Sequence, residues 1–398
     1  MQTNLLTLII EVSSQQYIFA VCKNLDNNNI KLIHKHSVPI KELADHVISD
    51  LDLACNKIKK NIYEIEQKFE TVFKEPIIII NDFECSLINI SGYKKLNGSQ
   101  LDKENVTYLI NSLKSKINEI EGDKKVVHIF NSKFILDKKN IENLPIGLFG
   151  DFYSHELSFF LMNENNYKNI RNIFNKCNLK IKKILSKSFI EGANLIDKSK
   201  DLDTFFIIKV NQKNSQIIYF ENSALKFVEK FNFGSDIVIQ DISKIINFNY
   251  EDIKNILVNV NFSEKNLDIE FLEKKYFKDK NYRKIKKKLL LDIAEARIQE
   301  IAEKIIIKNI NLKSFLIKDS QIYLYLDDDL LFKKFRDNYK FFFSNDNKYN
   351  LSLNENSDIE SFYENANKIV QFGWKKEAVP VIHEKRSIIA RFFNLIFN

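Results

Sequence analysis

Histidine and cysteine side chains are the first candidates for metal chemistry in this sequence. His34 and His36 alternate on a predicted strand, which would place both rings on one face, and His46 follows nearby. No third ligand has the spacing of a zinc site. The cysteines likewise show neither metal nor redox spacing: Cys22, Cys55, Cys85 and Cys177. We therefore expect no metal site, and no set of residues indicates a catalytic centre.

A basic stretch in the second half of the chain could meet an anionic partner. YRKIKKKLLL, residues 282–291, contains four lysines and has Tyr276, Phe277 and Tyr282 nearby. Clustered lysines bind phosphates and aromatic rings stack on bases, which is the argument for nucleic acid. Acidic residues are interleaved, however, and no known nucleic-acid-binding motif accompanies the stretch. We expect no nucleic-acid partner; a solvated helix face, a salt-bridge lattice and a docking site for an acidic peptide remain open.

The chain ends in RSIIARFFNLIFN, which predicts an amphipathic helix over residues 386–398. At about 100° per residue the apolar side chains share one broad face, and Ser387, Arg391 and Asn394 lie opposite. Such a helix is too short to span a bilayer but suits its surface, where basic residues meet anionic headgroups. Docking on the protein's own surface or in a dimer groove is the alternative. The predicted membrane-binding residues are Arg386, Ile388, Ile389, Arg391, Phe392, Phe393, Leu395, Ile396 and Phe397.

Composition narrows the class of protein. The 398 residues suffice for two lobes, and the net charge of +7 favours anionic partners without choosing among them. Only 8 glycines occur, where average usage would give roughly 28. Phosphate-binding loops need glycine for close backbone approach, so the deficit counts against nucleotide chemistry. No apolar run reaches the roughly 18 residues of a transmembrane helix, and the start of the chain does not resemble a signal peptide. We therefore expect the protein to be located in the reducing cytoplasm.

Two similar strand–turn–strand segments predict duplicated lobes. Leu5–Val21 and Phe205–Phe220 both read Ile-Ile, a charged residue, Val, several polar residues and a second apolar run. Chance similarity between two hairpins is the alternative. Between them the pattern predicts a helical stretch around Leu43–Phe73 and a buried strand at Ile77–Ile80, and later a helix over Leu289–Ile305.

An ordered series of short motifs resembles the FtsA family of bacterial cell-division proteins, which is actin-like. The longest, VVHIFNSKFILDKKNIENLPIGLFG, has a histidine, a strand ending in Leu-Asp and an Asn-Pro-hydrophobic-Gly run, with Leu144 inserted between Asn143 and Pro145. The order of the motifs agrees over nearly the whole chain. The further matches are NKCNLKIKKI (175–184), NFGSDIVIQDI (232–242), EDIK (251–254) and EARIQEI (295–301).

This resemblance implies the fold and its divisions. It implies an α/β, actin-like protein with duplicated RNase H-like lobes, an inserted small α+β subdomain and a C-terminal amphipathic helix. The first lobe would cover residues 1–198, with the inserted subdomain at about 82–165. The second would cover 199–373, with a partner-binding part at about 261–310, and a linker at 374–385 would lead to the helix at 386–398.

The resemblance also implies ATP with magnesium as a cofactor, but the loops depart from the family pattern. The nucleotide-binding positions that match are Glu11, Ser13, Ser14, Gly234, Glu251 and Lys254. The second loop, residues 209–214, lacks every glycine and the metal-directed aspartate, so its side chains would occupy space needed by phosphate. Residues 323–335 replace the third loop, and Asp327–Asp329 would repel a triphosphate unless they form a solvated turn. We expect a degraded site without hydrolysis, with a solvated strand-end carboxylate as the alternative role of Glu11.

In the family, the second lobe docks the acidic C-terminal tail of the tubulin-like division protein FtsZ. Arg297 matches a basic position of that surface, and Lys288 matches less securely. The sequence thus predicts a non-enzymatic adaptor that tethers FtsZ filaments to the cytoplasmic face of the membrane at the division site. It would also contact its own copies, and recruit later division proteins through the inserted subdomain. The alternatives are an active actin-like ATPase and an actin-like component of another envelope assembly, such as a type IV pilus machine.

Overall fold

A computed structural model of the protein describes residues 6–25, 29–40, 43–44, 47–199, 201–262, 267–277, 281–354 and 359–378. His46, the predicted terminal helix with its nine membrane-binding residues, and most of the predicted linker lie outside these ranges. Among the helices that the structure describes, none is both long and apolar enough to cross a bilayer.

The described residues alternate between strands and helices along the chain. The strands are β1 (Leu6–Val12), β2 (Gln16–Asn24), β3 (Ile30–Pro39), β4 (Leu43–Ala44), β5 (Val47–Ile48), β6 (Ile77–Ile80), β7 (Cys85–Lys95), β8 (Lys124–Leu136), β9 (Lys139–Ile141), β10 (Phe152–Asn163), β11 (Lys183–Ser186), β12 (Phe205–Val210), β13 (Ser215–Glu221), β14 (Ala224–Phe231), β15 (Gln321–Leu326) and β16 (Asn350–Asn354). The helices are α1 (Leu51–Phe69), α2 (Lys103–Ile120), α3 (Glu164–Lys176), α4 (Lys187–Lys198), α5 (Asp236–Ile246), α6 (Tyr250–Asn259), α7 (Lys287–Ala302), α8 (Asp329–Ser344) and α9 (Ile359–Phe372).

The first sheet has the order β11-β6-β1-β2-β3. Strand β1 is antiparallel to β2 and parallel to β6, whose four isoleucines are all buried. A strand covered on both faces reads as a continuous apolar run, which is why Ile77–Ile80 could be predicted from the sequence. Helix α1 places buried residues three or four apart, beginning with Ala54, Ile58 and Ile62. Its N-cap is Asp50, whose side chain accepts a hydrogen bond from the amide of Leu53.

The second sheet has the order β7-β10-β8-β9 and belongs to an α+β module between β6 and α3. Helix α2 packs on it through Val106, Leu109 and Leu113, which lie three or four residues apart on one helical face. Strand β10 is the most deeply buried strand of this sheet, since six consecutive residues from Leu157 to Met162 are buried. This module is the part of the chain that the sequence assigns to the inserted subdomain.

The third sheet has the order β14-β13-β12-β15-β16 and repeats the connectivity of the first. Strand β12 is antiparallel to β13 and parallel to β15, as β1 is to β2 and β6. The predicted hairpin repeat is therefore confirmed as a duplication of sheet topology. Helices α5, α7 and α8 bury Ile239, Ile298 and Phe335 in the core beside this sheet. The duplicated sheets, with an α+β module inserted in the first half of the chain, confirm the predicted actin-like α/β architecture.

The described chain divides into two compact units. The first comprises residues up to Ile190, Asn222–Lys226 and the residues from Tyr363 onward; the second comprises Glu191–Glu221 and Phe227–Phe362. The division thus falls inside α4 and α9, at Ile190 and Tyr363, whereas the sequence placed the boundaries at residues 198 and 373. A helix that runs from one unit into the next shows no break in its apolar pattern, so the sequence gives no signal for these positions.

Candidate functional site

Glu11 lies near the carboxyl end of β1 in the first unit and is 2% exposed. Both carboxylate oxygens accept hydrogen bonds: Oε1 from Lys187 Nζ at 2.7 Å and Oε2 from the Tyr363 hydroxyl at 2.8 Å. Burial, together with the neighbouring carboxylate, raises the pKa of Tyr363, so the phenol stays protonated and remains a donor. The alternative of a solvated carboxylate at Glu11 is wrong, because the side chain is buried and both of its oxygens are paired within the chain.

Ser13 and Ser14 form the turn between β1 and β2. The Ser13 hydroxyl donates to the carbonyl of Gln16 at 2.8 Å and accepts from its amide at 3.2 Å, which closes the turn. The Ser14 hydroxyl and amide both donate to one carboxylate oxygen of Asp82, at 2.9 and 3.2 Å. The donors that the family resemblance assigns to phosphate are therefore engaged by groups of this chain.

The corresponding loop of the second unit follows β12. At the start of α5, the amide of Ser235 donates to the carbonyl of Asn211 and the amide of Asp236 donates to that of Gln212, both at 2.9 Å. Gly234 permits this close approach, because a Cβ there would lie 2.1 Å from the Asn211 carbonyl oxygen. Helix N-termini bind phosphate through free amides, and here loop carbonyls occupy two of them, those of Ser235 and Asp236.

The remaining nucleotide-binding candidates are on α6 of the second unit. Glu251 is exposed, and its carboxylate lies 4.0 Å from Lys254 Nζ, which also lies 4.6 Å from the ring centroid of Tyr250. Asp328 is buried as the N-cap of α8 and accepts from the Leu331 amide at 3.0 Å. The expectation of a solvated turn at Asp327–Asp329 is therefore wrong for Asp328, which stabilises a helix start.

These residues do not fit a nucleotide with its magnesium ion. Magnesium requires near-octahedral oxygen ligands, yet both oxygens of Glu11 already accept hydrogen bonds from an ammonium and a phenol. Phosphate requires free donors, yet Ser14, Ser235 and Asp236 donate within the chain. Among the described residues, no group of three or more histidine, cysteine or acidic side chains is arranged to hold a metal ion.

The predicted partner-binding residues are also engaged within the second unit. Arg297 on α7 pairs with Asp241 on α5 and with Glu300 at 2.7 Å, and Lys304 donates to Glu300 at 2.6 Å. The hydrogen bond from Lys304 lowers the pKa of Glu300, so this carboxylate stays ionised. Lys288 lies 3.0 Å from Asp268. The salt-bridge lattice that the sequence left open is present, and it surrounds Arg297.

A further polar cluster in the first unit was not predicted from the sequence. Residues 376–378 bond to β8: the Asn131 amide donates to the Lys376 carbonyl, and the Ala378 amide to the Ile129 carbonyl, each at 2.7 Å. Glu377 accepts from Lys183 at 2.6 Å and lies 2.9 Å from Nδ1 of the buried His128. The predicted linker at 374–385 is thus wrong at its start, because these residues add to a sheet edge.

Burial and hydrogen bonds determine which groups of the cluster of His128, Lys183 and Glu377 are charged. Burial lowers the pKa of His128, although Glu377 acts in the opposite direction. The amide of Ser186 donates to His128 Nε2 at 3.2 Å, so Nδ1 carries the proton and donates to Glu377. Burial alone would raise the pKa of Glu377, but His128 and Lys183 outweigh it and hold that pKa at about 2. Glu377 is therefore an ionised anchor for the chain that leads to the predicted membrane helix.

Lys187, Tyr363, Asp82 and Glu377 are the residues that the sequence did not identify. Their partners lie 68 to 352 positions away along the chain. No local motif or spacing records such a pairing. Only a comparison of covarying positions among relatives could have indicated these contacts before the structure.

Comparison with known proteins gives relatives at low identity. No model of a known protein family matches the chain. The cell division protein FtsA of Neisseria meningitidis serogroup B is 20% identical over 296 residues, which are 74% of this chain and 71% of that protein. The cell division protein FtsA of Buchnera aphidicola subsp. Schizaphis graminum is 19% identical over 322 residues, which are 79% and 75% of the two chains.

Among solved structures, a chain from the PilM–PilN type IV pilus biogenesis complex is similar in fold. It has a TM-score of 0.53 and 9% sequence identity, and the match covers 92% of this chain and 98% of that chain. The structural similarity supports a shared fold, but at this low sequence identity it carries no information about a shared activity.

Proposed function

Because this chain is a divergent FtsA-like protein with an actin-like fold, we propose that it is a non-enzymatic adaptor of cell division. It holds FtsZ filaments at the cytoplasmic face of the membrane at the division site. The observation that carries this proposal is the similarity to two proteins named cell division protein FtsA over about three quarters of the chain. The terminal segment 386–398, with seven large apolar side chains on one predicted face, supports the membrane contact.

We place the FtsZ contact on the second unit, around Arg297 and Lys288. Arg297 already pairs with Asp241 and Glu300, and about a quarter of its side chain remains exposed. Carboxylates of an acidic tail can replace these intramolecular partners, so binding exchanges one ion pair for another. Such an exchange gives modest affinity and pronounced salt dependence, as a reversible filament contact requires.

We assign contacts with neighbouring copies or later division proteins to the inserted subdomain. Its β7 is a long edge strand, and Tyr93 on it stacks with Phe152 at a centroid distance of 5.8 Å. Tyr93 is 67% exposed and Phe152 is 43% exposed. Exposed apolar side chains that lie close together mark an interaction surface more often than scattered ones do.

The membrane contact can be tested with single substitutions in the full chain. Phe393→Asp places a charge on the predicted apolar face, and Asn394→Asp places the same charge on the opposite face. We expect wild type and Asn394→Asp to sediment with vesicles of phosphatidylglycerol and phosphatidylethanolamine, and Phe393→Asp to remain in the supernatant. Equal sedimentation of the two variants would contradict the proposed orientation of the helix.

The filament contact can be tested with a labelled FtsZ C-terminal peptide and fluorescence anisotropy. Arg297→Glu should weaken binding about tenfold or more, since removal of a charge-assisted contact costs at least about 1.4 kcal/mol. Arg336→Glu changes an exposed arginine on α8 and serves as the matched control, with affinity expected to stay near that of wild type. Equal affinities for the two variants would remove Arg297 from the site.

The two alternative functions, an active actin-like ATPase and a component of a pilus machine, have less support. An active ATPase requires positioned donors and a metal, and the loop contacts described above engage the candidate groups within the chain. A role in a pilus machine rests on the PilM-like fold alone. Absence of MgATP hydrolysis by the purified chain, measured beside the vesicle assay, would support the adaptor.

A further inference from the structure

The ends of β1 and β12 carry charged residues at equivalent positions of the two duplicated sheets. Ile9–Val12 and Ile207–Val210 each lie between an antiparallel and a parallel neighbour. The residue before the valine is Glu11 in the first unit and Lys209 in the second. Each is neutralised within its own unit, Glu11 by Lys187 at 2.7 Å and Lys209 by Glu191 at 2.6 Å.

In the first unit, the ion pair with Lys187 gives Glu11 a permanent cation. A carboxylate that is 2% exposed is costly to bury unless a positive charge and hydrogen-bond donors compensate it. Lys187 supplies the charge on Oε1 and Tyr363 supplies the donor on Oε2. A divalent ion would have to displace the ammonium, which is covalently attached and therefore always at hand.

The turn at Ser13 and Ser14, next to Glu11, has a permanent anion in Asp82. Asp82 follows β6, has a φ of +62°, and places one oxygen against both the amide and the hydroxyl of Ser14. Two donors that converge on one carboxylate oxygen resemble the way in which a turn holds a phosphate oxygen. Asp82 belongs to the same unit as Ser14 and maintains this contact without a ligand.

We propose that the chain carries its own substitutes for a nucleotide and its metal, with Lys187 as the cation of Glu11 and Asp82 as the anion of Ser14. The loops therefore reach their final geometry by folding alone. This inference goes beyond the adaptor role, because it states that no nucleotide state switches the first unit.

Titration of the full wild-type chain is the direct test. Thermal unfolding is followed with MgATP, MgADP and MgCl2 at a few millimolar, and potassium chloride of equal ionic strength is the reference. A ligand that binds the folded state raises Tm in a saturable manner, so we expect the four curves to coincide. A saturable rise with MgATP or MgADP would overturn the proposal.

A matched pair of variants tests the role of Lys187 itself. Lys187→Ala and Lys183→Ala each remove an ammonium from a buried carboxylate of the first unit, Glu11 and Glu377 respectively. Both variants should lower Tm. We expect Mg²⁺ to restore part of the loss in Lys187→Ala only, because the small cation can enter the site beside Glu11. Restoration in both variants or in neither would refute the assignment of Lys187, and the wild-type titration remains decisive if a variant does not fold.

Discussion

At the scale of single residues, function in this chain depends on which charges are already paired. Glu11, Ser14 and Arg297 could be located from the sequence because motifs surround them. Their partners Lys187 and Asp82 could not, since each comes from a distant segment; Asp241 lies inside the motif at 232–242, but nothing in the sequence marked it as the partner of Arg297. The sequence therefore predicts where a polar group lies along a strand or helix, and only the fold decides whether that group remains available to a ligand.

Gly234 provides a residue-scale prediction about the loop after β12. Gly234→Ala would bring a methyl group to within 2.1 Å of the Asn211 carbonyl oxygen, so the loop must shift away from α5. We expect a loss of stability of about 1 to 3 kcal/mol, measured by urea denaturation followed by circular dichroism. Gly122→Ala is the control, because its nearest neighbour is 3.9 Å away and the change should be neutral or slightly stabilising. Equal effects would show that the loop tolerates a Cβ.

His155 leads to a prediction about pH. It is fully buried in β10, and burial lowers its pKa to about 4. The unfolded chain takes up a proton below pH of about 6.5 and the folded chain does not, so stability is present above that pH and is lost toward pH 4. For this group the loss is about 1.4 kcal/mol per pH unit.

The measurement is urea unfolding of the first unit at pH 7.5 and 5.5, followed by the fluorescence of Trp374. His155→Phe keeps an aromatic ring beside Phe134 and removes the titrating group, so it should reduce the difference between the two pH values. His128 contributes with the same sign, because burial also lowers its pKa. Glu377 contributes only below pH of about 4.3, since its folded pKa lies at about 2. An unchanged pH dependence in His155→Phe would contradict the assignment.

At the scale of elements, the apolar pattern predicted strands and long helices well. The hairpin at Leu5–Val21 is confirmed as β1 and β2, Ile77–Ile80 as β6, and the helix at Leu289–Ile305 as α7 with a short π-helical continuation. The predicted helix at Leu43–Phe73 begins too early. Leu43–Ala44 pairs with Val47–Ile48, and α1 starts at Leu51 after its Asp50 cap. A short strand pair has too few residues for a period to be recognised.

The segment of residues 376–378, which forms an isolated β-bridge with β8, leads to an element-scale prediction. Ala378 is 6% exposed and packs in the core of the inserted subdomain. Ala378→Asp would bury an unpaired charge and should release this segment from β8. Hydrogen exchange of the Asn131 amide, which donates to the Lys376 carbonyl, should then accelerate at least about tenfold, a change of about 1.4 kcal/mol in the opening free energy. Lys375→Asp changes an exposed neighbour and should leave this exchange unchanged.

At the scale of the whole molecule, the attachment of the terminal segment restricts how the protein can meet a membrane. Ala378 is fixed to β8, and the seven residues 379–385 separate it from the predicted helix. Seven extended residues span at most roughly 25 Å. If the helix lies in the membrane surface, as proposed, the side of the inserted subdomain that carries residues 376–378 must lie within that distance of the lipid headgroups.

Trp374 makes this last expectation measurable, because it is the only tryptophan of the chain and lies four residues before Ala378. Its indole is held in the first unit, with its ring centroid 5.9 Å from that of Phe189. On vesicles that contain dansyl-labelled lipid, bound wild type should show energy transfer from Trp374, and Phe393→Asp should not. Ala378→Asp should bind with less transfer, since release of residues 376–378 from β8 lengthens the connection. Binding of wild type without transfer would place the inserted subdomain away from the bilayer, and the attachment of residues 376–378 to β8 would then have a purely structural role.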